Sequence, residues 1–192
     1  MKKLLITGFD PFGGESINPS WEAVKLLPDE IGEYTLYKLQ IPTVFGVAAE
    51  KLLEKAEGIQ PDVIISVGQA GGRVAVTPER VGINVRDARI ADNAGTIPAD
   101  EAIISGGPDG YFSTLPVKAM IAAITEAGLP AAISNTAGTF VCNDVLYTML
   151  HHYRDTHVRC GFIHVPYLPQ QGEPNLTLEQ TAQALIAAVS AL

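Results

Sequence analysis

Short apolar runs of strand length alternate with longer segments of helical period along most of this chain, and that alternation admits few folds. Lys3–Thr7, Tyr34–Ile41, Asp62–Val67, Ala131–Asn135 and Cys160–Val165 read as strands. Tyr34–Ile41 alternates with period two, whereas DVIISV (Asp62–Val67) is a nearly unbroken apolar run, as expected of a strand covered on both faces. Between them lie helical segments at Pro19–Leu27, Val44–Glu57, Pro116–Ala127 and Asn143–Tyr153, and Leu178–Leu192 closes the chain. Pro19 suits a first helical position with Asn18 or Ser20 as cap. Val44, Val47, Ala48, Leu52 and Ala56 share one helical face, as do Leu178, Leu185, Ile186, Val189 and Leu192. Strands joined through helices pair in parallel by right-handed crossovers. The expectation is therefore one α/β domain spanning 1–192, with a mostly parallel twisted sheet and helices on both faces.

From Gly68 to Gly110 this pattern breaks down into Gly, Pro, Asn and Asp, with only Val81–Val85 strand-like. So long an irregular stretch inside a compact domain is functional or disordered. Composition favours a packed chain: 47% hydrophobic and 18% charged residues are an ordinary globular balance. A net charge of -8 with scattered Lys and Arg argues against a nucleic-acid partner. No run approaches the ~18 apolar residues of a membrane span. The apolar stretch after Lys2 and Lys3 is too short for a signal peptide, so the cytoplasm is expected. Two cysteines, Cys142 and Cys160, make no disulfide framework.

Ligands of open α/β sheets gather beyond the carboxyl ends of the strands. Three strand ends here carry polar, reactive sequence: Gly68–Arg73 leading on to Glu79, Thr136–Asn143, and His164 running into Pro166–Gln171. If Cys142 leaves one parallel strand and His164 ends the next, with one helix between, the two face each other across that edge. A helix starting at Asn143 would offer Cys142 unpaired N–H groups and a positive dipole end, favouring a thiolate and an oxyanion. Position alone leaves Cys142 open between nucleophile and small buried filler, and His164 open between base and satisfied core residue. Cys160, within an apolar strand, reads as structural. His151 and His152 at a helix end read as surface residues, and His157 lies in a polar turn. No HExxH, CxxC, P-loop, GxGxxG or GxSxG pattern is complete, so no metal is expected.

Motifs in order along nearly the whole chain resemble the pyroglutamyl-peptidase I (pyrrolidone-carboxylate peptidase) family: TGFDPFGG (Thr7–Gly14), NPSWEAV (Asn18–Val24), GQAGGR (Gly68–Arg73), ERVGIN (Glu79–Asn84), DARIADNAG (Asp87–Gly95), GYFSTLPVK (Gly110–Lys118), SNTAGTFVCN (Ser134–Asn143) and HVPYLPQQ (His164–Gln171). Gly82, where the family often has Ala, and Asp109-Gly110 depart from its pattern away from reactive positions. The resemblance implies an α/β/α sandwich and a triad of Glu79, Cys142 and His164. It also implies hydrolysis of pyroglutamyl peptides without metal or cofactor, and a homo-oligomer, tetramer or dimer. Glu79 is not derivable from the residues alone, where a surface carboxylate beside Arg80 is the simpler reading. Arg89 is carried over as support for the oxyanion. Phe9, Phe12, Phe140, Val141 and Gln69 are carried over to the pyroglutamyl pocket, although each Phe also fits an ordinary core. Tyr111, Phe112 and Leu115 are candidates for an interface. A nucleoside phosphorylase-like enzyme and a non-catalytic binding module remain rivals on a fold of this kind.

Overall fold

The computed structural model describes residues 1–192. In chain order it contains β1 (Lys2–Phe9), α1 (Pro19–Leu26), β2 (Glu30–Ile31), β3 (Tyr34–Ile41), α2 (Val47–Ile59), β4 (Val63–Gln69), β5 (Thr77–Pro78), β6 (Val81–Ile83) and β7 (Gly110–Phe112). There follow α3 (Val117–Glu126), α4 (Val141–Tyr153), β8 (Arg159–Val165) and α5 (Leu178–Ser190). The sheet order is β2-β3-β1-β4-β8-β5. Its four central strands run parallel, and the two-residue strands β2 and β5 lie antiparallel at the edges. A separate two-stranded ribbon pairs β6 with β7.

Alternation along the central strands explains where the helices sit. Leu4 and Ile6 of β1, Val63, Ile65 and Val67 of β4, and Ile163 and Val165 of β8 join side chains of α1, α3 and α5 in one apolar cluster. The intervening residues Leu5, Ile64, Cys160 and Phe162 join α2 and α4 in a second cluster. The sheet is thus apolar on both faces, which is why DVIISV shows no polar alternation. Each fully buried Leu, Ile or Phe contributes roughly 1.5–3 kcal/mol. Helix starts follow the local chemistry: Asn18 caps α1 by accepting from the Ser20 N–H, and Thr177 with Gln180 forms a capping box on α5.

Two expectations about the elements are corrected. Ala131–Asn135 is not a continuous strand of the sheet; it lies parallel along the outer side of the β5 region through two bridges, Val76 with Ala131 and Glu79 with Ser134, closed by four main-chain hydrogen bonds of 2.8–3.1 Å. The neighbours of β8 are β4 and β5 instead. The difference lies in placement: the segment pairs with the far side of β5, which itself runs antiparallel to β8, so it is neither adjacent nor parallel to β8. Helix α4 also begins earlier than Asn143, at Val141, so Cys142 is its second residue rather than the end of a loop. Val141 is wholly buried and pulls the first turn onto the sheet.

Candidate active site

The site lies on the α2/α4 face, at the carboxyl ends of β4 and β8. Gly68 of β4 is the register partner of His164, and His164 pairs in turn with Thr77 of β5. Partners across a sheet point to the same face, and so do residues two apart along a strand. Gly68, His164, Thr77 and Glu79 therefore share the side occupied by α4. Helix α4 brings Cys142 down onto it: a methyl group built on Gly68 would stand 2.9 Å from the Cys142 sulfur. Adjacent strands lie about 4.8 Å apart, so the sulfur stands over the strand position next to His164. Cys142 and His164 thus meet at one sheet edge, though not by the strand–helix–strand route expected from the sequence.

Glu79 is completely buried, and its Oε1 accepts from His164 Nδ1 at 2.7 Å and from Arg73 Nη1 at 2.7 Å. Its backbone N–H donates to the Phe162 carbonyl at 2.9 Å, which docks the segment after β5 against β8. Burial works against the Glu79 carboxylate, but the hydrogen bond and charge of His164, with Ser134 and Arg73, outweigh it and hold its pKa below the ordinary value. Burial lowers the His164 pKa, only partly opposed by Glu79. The resting pair is an ionised carboxylate and a neutral imidazole. An ionised carboxylate only accepts, so the ring proton sits on Nδ1 and leaves Nε2 as a base.

The thiol corrects a third expectation. The helix start does not leave Cys142 as a thiolate: burial, aided by the negative charge of Glu79, pushes its pKa up to about 12. Arg73 and the residue's own amide oppose that rise without overcoming it. Desolvation exceeds the dipole here because the sulfur sits against apolar strand and ring surface. Proton transfer to His164 must therefore accompany attack. Cys160, buried in β8, is likewise pushed up to about 12 by desolvation alone, as a structural cysteine should be.

Around this centre, the Phe12, Phe45 and Phe140 rings form an aromatic group, with centroids of Phe12 and Phe45 at 6.0 and 5.2 Å from Phe140. Phe45 had no signal in the sequence; it arrives because Asp92, buried in the irregular segment, accepts from its N–H at 2.9 Å and also from the Ala94 and Thr96 N–H groups. Phe9 lies in the core beneath, its ring 6.2 Å from Phe162, and Val141 is core as well. Gln69 is held by Gln171, whose Nε2 donates to Gln69 Oε1 at 2.9 Å. Arg89 is exposed, in a surface cleft shared with Asp87, Ile90, Thr139 and Phe140. Its loop is stitched to the approach to Cys142 by the Asp87 N–H on the Thr139 carbonyl (3.0 Å) and the Thr139 hydroxyl on the Asp87 carbonyl (2.7 Å). Asn143 and Asp144 anchor the first turn of α4 from the other side. Asn143 exchanges hydrogen bonds with Ile83 main chain at 3.0 and 2.8 Å, and Asp144 pairs with Arg86 Nε at 2.6 Å and accepts from the Gly46 N–H at 2.8 Å. His151 is half-buried rather than a surface residue, its Nδ1 3.0 Å from the Tyr111 hydroxyl. Leu115 is buried in the core, which removes it from the candidate interface, whereas Phe112 is 73% exposed.

A half-buried thiol, an imidazole beside it and a buried carboxylate behind the ring make the equipment of a cysteine-dependent acyl-transfer hydrolase on an α/β scaffold. Known proteins narrow that class. The family model described as pyroglutamyl peptidase matches residues 2–192, and the chain belongs to that family. The pyrrolidone-carboxylate peptidase of Clostridium perfringens is 52% identical over 197 residues, covering 99% of this chain and 92% of its own. That of Erwinia tasmaniensis is 53% identical over 196 residues, with the same coverage of 99% and 92%. Among solved structures, pyroglutamyl peptidase I of Bacillus amyloliquefaciens superposes with a TM-score of 0.96 at 48% identity, over 100% of this chain and 96% of its own. The pyrrolidone carboxyl peptidase of Thermococcus litoralis gives 0.95 at 38% identity, over 100% and 93%.

Proposed function

We propose that this protein is a cysteine peptidase that hydrolyses the amide bond after an N-terminal pyroglutamyl residue, with Cys142 as nucleophile, His164 as base and Glu79 as the group that orients it. The observation carrying this reading is the hydrogen bond of 2.7 Å from His164 Nδ1 to a buried Glu79, with the Cys142 sulfur seated over Gly68, the strand partner of His164. His164 Nε2 takes the thiol proton as sulfur attacks the pyroglutamyl carbonyl, and the imidazolium is stabilised by Glu79. It then protonates the leaving amine, which breaks the amide bond and leaves a thioester. Water, deprotonated by the same nitrogen, hydrolyses the thioester and frees pyroglutamate and thiol. The first-turn N–H groups of α4, with Arg89 in support, receive the oxyanion.

Pyroglutamate is an uncharged lactam with one N–H donor and one carbonyl acceptor. Aromatic walls from Phe12, Phe45 and Phe140 over the Phe9 and Val141 core suit its ring, and Gln69, already oriented by Gln171, suits its polar atoms. The whole chain then acts as one catalytic domain, an α/β/α sandwich, working in the cytoplasm as a homo-oligomer that covers Phe112. Sedimentation of a monomer at micromolar concentration would remove the oligomer. The central test is release of aminocoumarin from pyroglutamyl-aminocoumarin by wild type and Cys142→Ala, with prolyl-aminocoumarin as comparison. Activity on the pyroglutamyl compound alone, lost in the variant, is expected. Full activity in Cys142→Ala would exclude this nucleophile.

A further inference from the structure

Arg73, the last residue of GQAGGR, reaches the site from the loop between β4 and β5. After β4 the chain turns through Gly72, whose φ of +83° suits glycine, and the Arg73 N–H closes the turn on the Ala70 carbonyl at 3.3 Å. The turn sends the guanidinium back over β5. There Nη1 donates to Glu79 Oε1, the oxygen that also holds His164, while Nη2 donates to the Thr136 carbonyl at 3.0 Å. Thr136 begins the segment that runs through Phe140 into the first turn of α4. One planar cation thus spans the carboxylate behind the histidine and the main chain that delivers the nucleophile. Both charged partners, His164 and Arg73, meet the carboxylate at Oε1, and the Ser134 hydroxyl is its remaining polar neighbour.

Resting on the triad reading above, we propose that Arg73 is a positioning residue, which locks the Glu79 carboxylate to the backbone of the segment leading into Cys142. The charged and titratable groups that face Glu79 are His164 from β8 and Arg73 from the β4–β5 loop, with the Ser134 hydroxyl as polar neighbour. Cys142 of α4 faces Glu79 and Arg73 in turn. Arg73 is the fixed cation in this set. Without it the carboxylate is harder to ionise, the imidazole is easier to protonate, and the thiol is harder to deprotonate. The first two effects move the acid limb of activity the same way, towards higher pH. A lysine retains the charge but is a compact ammonium that does not fork between Glu79 and Thr136.

The experiment compares wild type with Arg73→Ala, Arg73→Gln and Arg73→Lys, following kcat and KM for pyroglutamyl-aminocoumarin from pH 5 to pH 9. In parallel, the rate at which iodoacetamide alkylates Cys142 is followed over the same range, and thermal melts establish folding. Ala and Gln should each lower kcat about 10- to 100-fold with KM little changed. They should also move the acid limb to higher pH, and slow alkylation at each pH. Lys should restore the position of the acid limb while kcat stays low. Should Ala fail to fold, Gln carries the comparison, because it keeps a donor amide and much of the side chain's bulk while losing the charge and the fork. An acid limb and alkylation profile unmoved in the folded neutral variants would overturn the role of Arg73. Absence of pyroglutamyl release by wild type would instead overturn the parent reading, and the alkylation profile would still decide on Arg73.

Discussion

Gly68→Ala tests the geometry of the site with a single methyl group. The backbone at Gly68 is ordinary for an L-residue, so the variant meets no conformational penalty; its cost is steric. The new carbon would stand 2.9 Å from the Cys142 sulfur and 2.7 and 2.9 Å from two edge atoms of the Phe162 ring. Non-bonded heavy atoms settle about 3.5–4.0 Å apart, so methyl and sulfur must separate by roughly 0.6–1.1 Å. Phe162 cannot absorb the shift, because it is fully buried with its ring 4.7 Å from that of His164. The clash with the ring therefore falls on local backbone, and the sulfur must leave its place over Gly68. A misplacement of about 1 Å costs about 10²-fold in rate, or roughly 2.7 kcal/mol in the barrier. Overpacking should cost about 1–3 kcal/mol of stability, each unit lowering Tm by roughly 2–4 °C at this chain length. The assay is kcat and KM at 25 °C beside a thermal melt, with the loss expected in kcat. A variant that melts near the wild-type temperature and keeps wild-type kcat would refute the placement of the sulfur against Gly68.

Glu79→Gln preserves shape but removes the charge that stabilises the imidazolium, so kcat should fall about 10²- to 10⁴-fold with KM nearly constant; a loss under threefold would remove Glu79 from the reaction. Stability should decline with acid in two stages, measured as urea midpoints against pH. The folded-state pKa of His164 lies below 6.5, so the unfolded chain binds the extra proton first and stability falls as pH drops beneath that value. Glu79, held below 4.5 in the fold, adds a second loss beneath that pH. His164→Asn should flatten the first stage, and an unchanged slope would contradict the burial argument. Asp144→Ala strands Arg86 without its partner and frees the Gly46 N–H, which should cost roughly 3–5 kcal/mol, read as a lower urea midpoint. In the native protein iodoacetamide should label half-buried Cys142 and spare buried Cys160; equal labelling below the unfolding transition would count against that distinction.

The order of strands and helices was legible because apolar periodicity is a local property, and β3, predicted as Tyr34–Ile41, has those bounds in the structure. Ala131–Asn135 has the composition of a strand but pairs only with the 76–80 segment at the sheet's edge, and no local pattern reveals which neighbour a strand will find. Cys142 and His164 stood out by lying at element ends, although the route that joins them runs through the register of β4 and β8 rather than a shared crossover. Glu79 entered through family resemblance alone, because one carboxylate in an irregular segment looks like any other until β5 carries it under α4. Phe45 was silent altogether, and Arg73 showed only as the end of the GQAGGR motif with no role attached; both are placed by turns and by distant partners, Asp92 and Glu79 respectively.

Periodicity and motif order in the chain were sufficient to determine the α/β class, the two-sided burial of the sheet and the family. Tertiary structure alone decided that the carboxylate named by family resemblance is wholly buried against the imidazole, that the resting thiol keeps its proton, and that an arginine closes the site from behind. The physical reason is range. Helix and strand preferences arise between near neighbours in the chain, whereas desolvation and charge pairing depend on which surfaces meet, and that is set only when the sheet is assembled.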